Sequence, residues 1–337
     1  MNDIIEIVTK IYKTLDKKQI EACSVGPLLY TPATNHTIFN KLMEQSFGSN
    51  FSLAFCLEDS IDDNAVEVGE QNIVDTFKKI YGDIEKFSFL PHLFIRVRDP
   101  QQIPKLYTAL GRSVILLRGF ILPKFTTENG EAYIEEIKKI NQISGHLIYM
   151  MPILEGAELT EPTTRFSSLQ KLRELLIDCK EYVLNVRVGG NDLCHIFGVR
   201  RNPNETIYDI RPVANILNDI VGFFHKDFVI SGPVWEYFAG NNNDDIWKKG
   251  LEREIRMDII NGFIGKTVIH PNQIPVVLEE LKVKRQDLLD AAQILTFEHE
   301  LLQVSKNASG TRMNEIKTHD NWARKQIILA NLYGVKE

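Results

Sequence analysis

Eight short runs rich in Val, Ile, Leu and Phe recur along the chain, with longer amphipathic stretches between them. This alternation constrains the fold more than any other feature. The runs are Val25–Pro32, Phe51–Asp59, His92–Asp99, Ser113–Lys124, Leu147–Glu155, Tyr182–Asp192, Asp227–Trp235 and Gly262–Pro271. Most are continuously apolar rather than alternating, which marks strands buried on both faces of a parallel sheet. The segments Asn35–Gln45, Val66–Tyr81, Gln101–Leu110, Gly130–Asn141, Ser167–Cys179, Ala214–Phe224 and Asp244–Asn261 carry apolar residues at i, i+3, i+4 spacing and are expected to be helices. Strand–helix units repeating every roughly 20 to 45 residues predict an α/β chain closed into a (β/α)8 TIM barrel. An open doubly wound sheet has fewer parallel strands and needs a Gly-rich phosphate loop, and neither G-x-G-x-x-G nor a Walker pattern occurs here. The expected division is residues 1–273 for the barrel, including an N-terminal helix, and residues 274–337 for extra C-terminal helices. That extension would cover the barrel or build an oligomer contact. The polar strings NPNET (202–206), GNNNDD (240–245) and SKNASGT (305–311) read as loop tips.

A composition of 44% hydrophobic and 25% charged residues over 337 positions supplies a large core and excludes disordered or fibrous classes. The net charge of −6, without long runs of one sign, gives no global attraction for nucleic acid or an anionic membrane. The longest apolar stretch, Leu147–Leu154, is far shorter than the roughly 18 residues of a transmembrane helix. The opening MNDIIEIVTKIYKTLDKK mixes charge and apolar groups at helical spacing, so no signal peptide is expected. Cys23, Cys56, Cys179 and Cys194 stand far apart with no C-x-x-C pair, which argues against zinc and disulfides and for a reducing cytoplasm.

Barrel enzymes place their chemistry at the C-terminal ends of the strands, and these ends are rich in charge. Glu58 and Asp59 end the second run, Arg96 and Arg98 the third, Lys124 the fourth, Glu155 the fifth, Asn191 and Asp192 the sixth, and His270 the eighth. A charge at the end of a buried run must be paired, liganded or solvated in a cavity. Two carboxylates without His or Cys partners, Glu155 and Asp192, suit a hard cation such as Mg2+ or Mn2+; the alternative is that each pairs with an arginine. Arg96 and Arg98 were expected to alternate faces, one guanidinium entering the barrel mouth and the other meeting the helices. The one in the mouth would grip a carboxylate or serve as partner to Glu58 or Asp59. Gly189-Gly190 allows close approach of backbone to a ligand or a tight strand exit. His270 would be a structural hydrogen-bonding group or a ligand contact, and Arg200 and Arg201 a site for phosphate or another acidic group, or surface charges. Lys124 would form a Schiff base or act as a fixed positive charge.

Taken in order, LEDS (57–60), IRVR (95–98), PK (123–124), PILEG (152–156), GGNDL (189–193) and GKTVIHPNQI (265–274) resemble the HpcH/HpaI aldolase and citrate lyase β-subunit family across about Pro27 to Ile294. The strings HIFGVRRN (195–202), TIYDIRP (206–212) and EIKTHDNWARKQ (315–326) look like its branch of carbon–carbon bond lyases encoded with tellurite-resistance biosynthetic genes. The resemblance implies a Mg2+-dependent barrel lyase acting on a 2-oxo acid or its adduct, with Glu155 and Asp192 as metal ligands. It implies that Arg96 binds the substrate carboxylate or carbonyl, that Glu58 and Asp59 orient Arg96 or metal-bound waters, and that Lys124 belongs to the same catalytic group. Pro32, Arg98, Gly190, Asn191, Arg200, Arg201 and His270 would contact substrate, and the chain would form a homo-oligomer, a trimer or hexamer.

Two departures from the family pattern stand out. The first strand reads GPLLYTPAT where the family carries an arginine, leaving Asn35 or His36 to substitute, and the late aspartate that supplies the base in CoA-thioester branches is replaced by SGTRMNEIKTH, with Glu315 or His319 in its place. These departures count against CoA thioesters as substrates, leave room for a phosphorylated or otherwise larger acidic substrate held by Arg200 and Arg201, and keep a second reading in view: a catalytically silent barrel acting as partner subunit or small-acid sensor.

Overall fold

The computed structural model describes residues 2–239, 245–297, 302–307 and 309–337. Positions 240–244 of the GNNNDD string and 308 of SKNASGT therefore lie outside the described residues. The chain divides into two compact units, Val25–Val277 and a second formed by Met1–Ser24 with Leu278–Glu337.

The larger unit holds eight parallel strands: β1 Pro27–Pro32, β2 Ser52–Cys56, β3 His92–Arg96, β4 Leu117–Leu122, β5 Tyr149–Leu154, β6 Val186–Val188, β7 Ile230–Ser231 and β8 Lys266–Val268. Their order is β7-β6-β5-β4-β3-β2-β1-β8. A parallel bridge between Gly232 and Lys266, with Ile264 N donating to Ile230 O at 2.8 Å, joins the two outer strands and closes the ring. Every residue of β2 and β5 is buried, as continuous apolar runs require when the barrel interior covers one face and helices the other. The helix Val66–Gly82 turns Ile73, Phe77 and Ile80 inward at i, i+4, i+7 spacing, and Phe77 meets Phe55 of β2 at a ring separation of 5.7 Å.

Three predicted elements shift for local reasons. The fourth run opens as a tight 3-10 turn, Gly111–Leu116, and β4 begins only at Leu117. The helix expected over Ser167–Cys179 runs from Pro162 to Ile177, started by a proline whose missing N–H costs nothing in a first turn. The sixth run stops at Val188, and Gly190–Ile196 folds as a helix, so Asn191 and Asp192 stand in a first helical turn rather than on a strand end. An aspartate there complements the positive end of the helix dipole, a preference that outweighs the apolar look of the run.

The smaller unit contains the helices Asn2–Thr14 and Lys17–Ser24 together with Arg285–Thr296 and Ile316–Tyr333. The N-terminal helix, drawn with the barrel on sequence grounds, thus groups with the C-terminal helices. Tyr333 donates its hydroxyl to Cys23 O at 2.6 Å, and Val283–Lys284 pairs in parallel with Val335–Lys336. Where a plain loop was expected, Val304–Lys306 and Met313–Glu315 form an antiparallel pair. Asn307 Oδ1 accepts from Thr311 N at 2.9 Å and ties their connection. Among the described residues no helix is long and apolar enough to cross a membrane. All four cysteines are buried, and none forms a disulfide.

Candidate active site

The strand ends of the barrel surround a cavity of about 530 Å³. Parallel register aligns Pro32, Cys56 and Arg96 on β1, β2 and β3, so these three side chains form one layer at its edge. Tyr30, Asp59, Glu155, Arg187, Asp192 and His195 bring the remaining titratable groups to the same space. Gly190 and Asn191 line it as well.

Arg96 is buried and central. Its Nη2 lies 2.7 Å from Glu58 Oε2, 3.1 Å from Asp59 Oδ2 and 3.7 Å from Glu155 Oε1, and its guanidinium sits 5.6 Å from the centre of the Tyr30 ring. Its Nε has no partner. Both readings of Arg96 therefore hold geometrically: it is partner to the acidic pair and it also faces the cavity. Lys124 closes the acidic pair from outside, with Nζ bonded to Glu58 Oε1 and 3.3 Å from Asp59 Oδ1. Burial pushes the Glu58 carboxyl above its ordinary value, with the hydrogen bond to Asp59 adding to the rise against the pull of Arg96 and Lys124. For Asp59 burial acts upward too, but the hydrogen bond from Glu58 and the charges of Arg96 and Lys124 win and hold it at about 2. The two neighbouring carboxyls are thus shifted in opposite directions, Glu58 upward and Asp59 downward.

Glu155 follows β5 and is 4% exposed. Lys124 reaches it through the backbone, its N donating to Glu155 Oε1 at 2.8 Å from a left-handed conformation (φ 48°) that a lysine adopts only at a cost. Gly189 presses against the other side: a Cβ built there would stand 1.9 Å from Glu155 Oε2, so only glycine leaves room for the carboxylate. Burial, then the neighbouring Asp192 charge, push Glu155 up to about 8 despite Arg96. A carboxylate buried beside another carboxylate is the environment that a cation relieves. The donor chemistry fits a hard divalent ion. Among the described residues no group of three or more His, Cys, Asp or Glu side chains is placed to hold a metal ion by itself, so substrate oxygens and waters would complete such an ion's shell.

Other expected contacts are drawn elsewhere. Residues i and i+2 share a face of a strand, so alternation cannot separate Arg96 from Arg98; instead β3 ends at Arg96, and the following loop turns Arg98 outward onto Asp63. Arg200 is exposed and bonds Glu236 at 2.9 Å. Arg201 is fully buried, 3.2 Å from Glu254 and 5.1 Å from the centre of the Trp235 ring, and supports the scaffold rather than the cavity. His270 stacks on Phe238 with ring centres 4.5 Å apart, and burial, then Lys41, lower its pKa. Gln273 of the same motif is wholly buried and binds Ile269 N, His270 N, Trp235 O and Tyr237 O, which explains the motif as a loop lock. Of the first-strand substitutes, His36 bonds Asn72 at 2.7 Å and Asn35 bonds Thr31 at 3.3 Å, and neither lines the cavity. Glu315 and His319 belong to the smaller unit, where Glu315 N donates to His319 Nδ1 at 3.0 Å.

Among the lining residues that escaped the sequence reading are Tyr30, Arg187, His195 and Thr267. Arg187 had a signal, since a charge inside the apolar run Val186–Val188 violates burial as strongly as one at its end.

An eight-stranded parallel barrel with an acidic and guanidinium cluster at its strand ends defines a TIM-barrel enzyme site. The chain belongs to the family of C–C bond lyases of the TIM-barrel fold, whose sequence model matches residues 19–335, and it is accordingly a carbon–carbon lyase. No curated protein matches the sequence. Among solved structures it is similar to the protein CitE from Mycobacterium tuberculosis in complex with magnesium, acetoacetate and coenzyme A. That match has 15% identity and a TM-score of 0.59 and covers 92% of this chain and 99% of that one. It is also similar to RipC from Yersinia pestis, with 15% identity and a TM-score of 0.51, covering 77% of this chain and 95% of that one. At this identity both likenesses speak to the fold.

Proposed function

We propose that the chain is a Mg2+-dependent lyase or aldolase that breaks or forms a carbon–carbon bond next to the carbonyl of a 2-oxo acid or its adduct. The observation that carries this reading is the buried Glu155 carboxylate, raised to about 8 by burial and by Asp192, at the wall of the cavity that Arg96 also lines. Glu155 and Asp192 would hold the cation, which when bound supplies a Lewis acid for the carbonyl oxygen. Mn2+ would serve in place of Mg2+ on the same oxygen donors.

The chain's own residues bind and orient. Arg96 offers its guanidinium to the substrate carboxylate, and Glu58 and Asp59 fix its direction from behind while Lys124 balances their charge. Gly190 and Asn191, in the first turn of the helix Gly190–Ile196, would lie against the substrate. His195 is the imidazole lining the cavity, and it would move the proton between the reacting hydroxyl or carbon and solvent. The CitE structure carries magnesium and acetoacetate, which supports a small oxo acid as the class of ligand. Placement in a tellurite-resistance biosynthetic pathway, a homo-oligomeric state and a cytoplasmic setting are parts of the same proposal, carried by the sequence resemblance.

Calorimetric titration of pyruvate tests it. Binding should require Mg2+ and should vanish in Glu155→Gln and in Asp192→Asn. Pyruvate binding of equal strength with and without Mg2+ would refute the cation role.

A further inference from the structure

Arg187 is the most fully buried charge facing the cavity, and the ligand contacts proposed above leave it unused. It is 1% exposed. Its Nη2 donates to Thr267 Oγ1 at 2.6 Å and the Tyr30 hydroxyl is a further neutral neighbour, while Nε and Nη1 have no partner. A guanidinium carries five donors in a planar fork, and burying it with most of them idle is costly. No carboxylate pairs with it among the described ion pairs, in contrast to Arg96 and Arg201. Burial drags its pKa down, the direction of a cation that lacks its counter-ion.

Register places it. Arg187 pairs with Ile153 on β5 and with Ser231 on β7, and Ile153 lies two residues before Glu155. Arg187 is therefore one layer deeper in the barrel than the proposed cation site, and the Ser231 hydroxyl at the adjacent register position is likewise unpartnered. Tyr30, half-buried, lines the same cavity, with Arg96 over its ring and Arg187 close enough to act on its hydroxyl. Two guanidinium groups thus share one tyrosine at a single cavity.

We infer that Arg187 anchors a second acidic group of the ligand, so that the cavity selects an oxo acid with two anionic ends over one with a single carboxylate. The substrate class under this inference is a 2-oxo acid bearing a further carboxylate, or a phosphonate or phosphate, on its far carbon. The inference rests on the functional reading above for the placement of the first carboxylate.

The test compares pyruvate with two acids that add one group to its methyl carbon: oxaloacetate, which adds a carboxylate, and phosphonopyruvate, which adds a phosphonate. Affinities are measured with Mg2+ for the wild type, Arg187→Gln and Arg187→Lys. A hydrogen-bonded charge pair in a buried site predicts that the wild type favours one of the diacids over pyruvate by about tenfold or more. Arg187→Gln should erase that ratio, and Arg187→Lys, which keeps the charge but not the fork, should keep part of it. Which diacid gains identifies the second group. A wild type without preference for either diacid overturns the inference, and so does a ratio that survives in folded Arg187→Gln; the first of these decides even if the variants do not fold. The same inference is separable from the cation reading. Without Mg2+, succinate should raise the melting temperature of the wild type and not of Arg187→Gln even if no 2-oxo acid binds, whereas loss of pyruvate binding in Glu155→Gln reports on the cation site alone.

Discussion

The barrel buries two clusters of charge, and they are built oppositely. On the helix side of β8, Lys266 Nζ lies 2.9 Å from Glu254 Oε1 and 2.7 Å from Asp258 Oδ2, with all three side chains essentially inaccessible. The remaining acceptors are used too: Glu254 Oε2 takes Ile207 N at 2.8 Å, and Asp258 Oδ1 takes the Tyr208 hydroxyl at 2.7 Å. At the barrel mouth Arg96 Nε is idle, Arg187 is short of partners, and Glu155 stands beside another carboxylate. The closed cluster answers every charge from within the chain. The open one leaves donors and acceptors facing a cavity, and such unfinished chemistry is what a ligand can complete.

The comparison can be broken most forcefully at Lys266. Lys266→Met strands two buried carboxylates and should cost about 3–5 kcal/mol, read as a lowered urea midpoint. If the loss stays below about 1 kcal/mol, the closed cluster is not holding the scaffold. Gly189→Ala comes next. The added methyl collides with Glu155 Oε2, so about 1–3 kcal/mol of stability should go, together with Mg2+-dependent pyruvate binding. Stability lost with binding intact would mean that the Glu155 carboxylate need not sit where it does. Glu155→Gln should run the other way from Lys266→Met: in chelator-treated protein near neutral pH, where burial and Asp192 already favour the neutral acid, a neutral amide of the same shape should leave stability unchanged or raise it by about 1 kcal/mol while binding disappears. A marked loss of stability would place Glu155 in the scaffold.

The smallest effect concerns pH. Asp59 is held at about 2 in the fold against about 3.9 unfolded, so its contribution is full above pH 3.9 and is lost as pH falls toward 2. Its side chain is about half exposed, and solvent screening reduces the contribution to about 1 kcal/mol or less. Asp59→Asn should therefore be less stable than wild type at pH 6, and the gap should narrow by pH 2.5. A gap independent of pH would contradict the ionic role.

The barrel was legible because continuous apolar runs admit few other burials, and helix spacing survives local shifts at the ends. Much of the mouth was legible for a related reason: a charge ending a buried run, such as Arg96 or Glu155, must have an electrostatic purpose. What stayed hidden depends on partners distant in sequence. Arg98 and Arg201 look like Arg96 as text, and only the placement of Asp63, Glu236 and Glu254 decides that they are ion-paired away from the cavity. Arg187 and Lys266 are both charges inside strands, and strand parity alone divides them. Thr267, beside Lys266, lines the cavity with Arg187, so Lys266 faces the helices. Asp192 was found as a residue but misplaced as a strand end, since the glycine pair ahead of it starts a helix.

The central claim is that the open cluster removes or delivers a proton next to a carbonyl with help from a divalent cation. Loss of the pyruvate methyl signal in D2O, followed by proton NMR, tests this without knowledge of the second substrate. The account predicts methyl exchange well above the solvent rate, dependent on Mg2+ and absent in Glu155→Gln and Arg96→Lys. Pyruvate that binds with Mg2+ yet exchanges no faster than in buffer would contradict it.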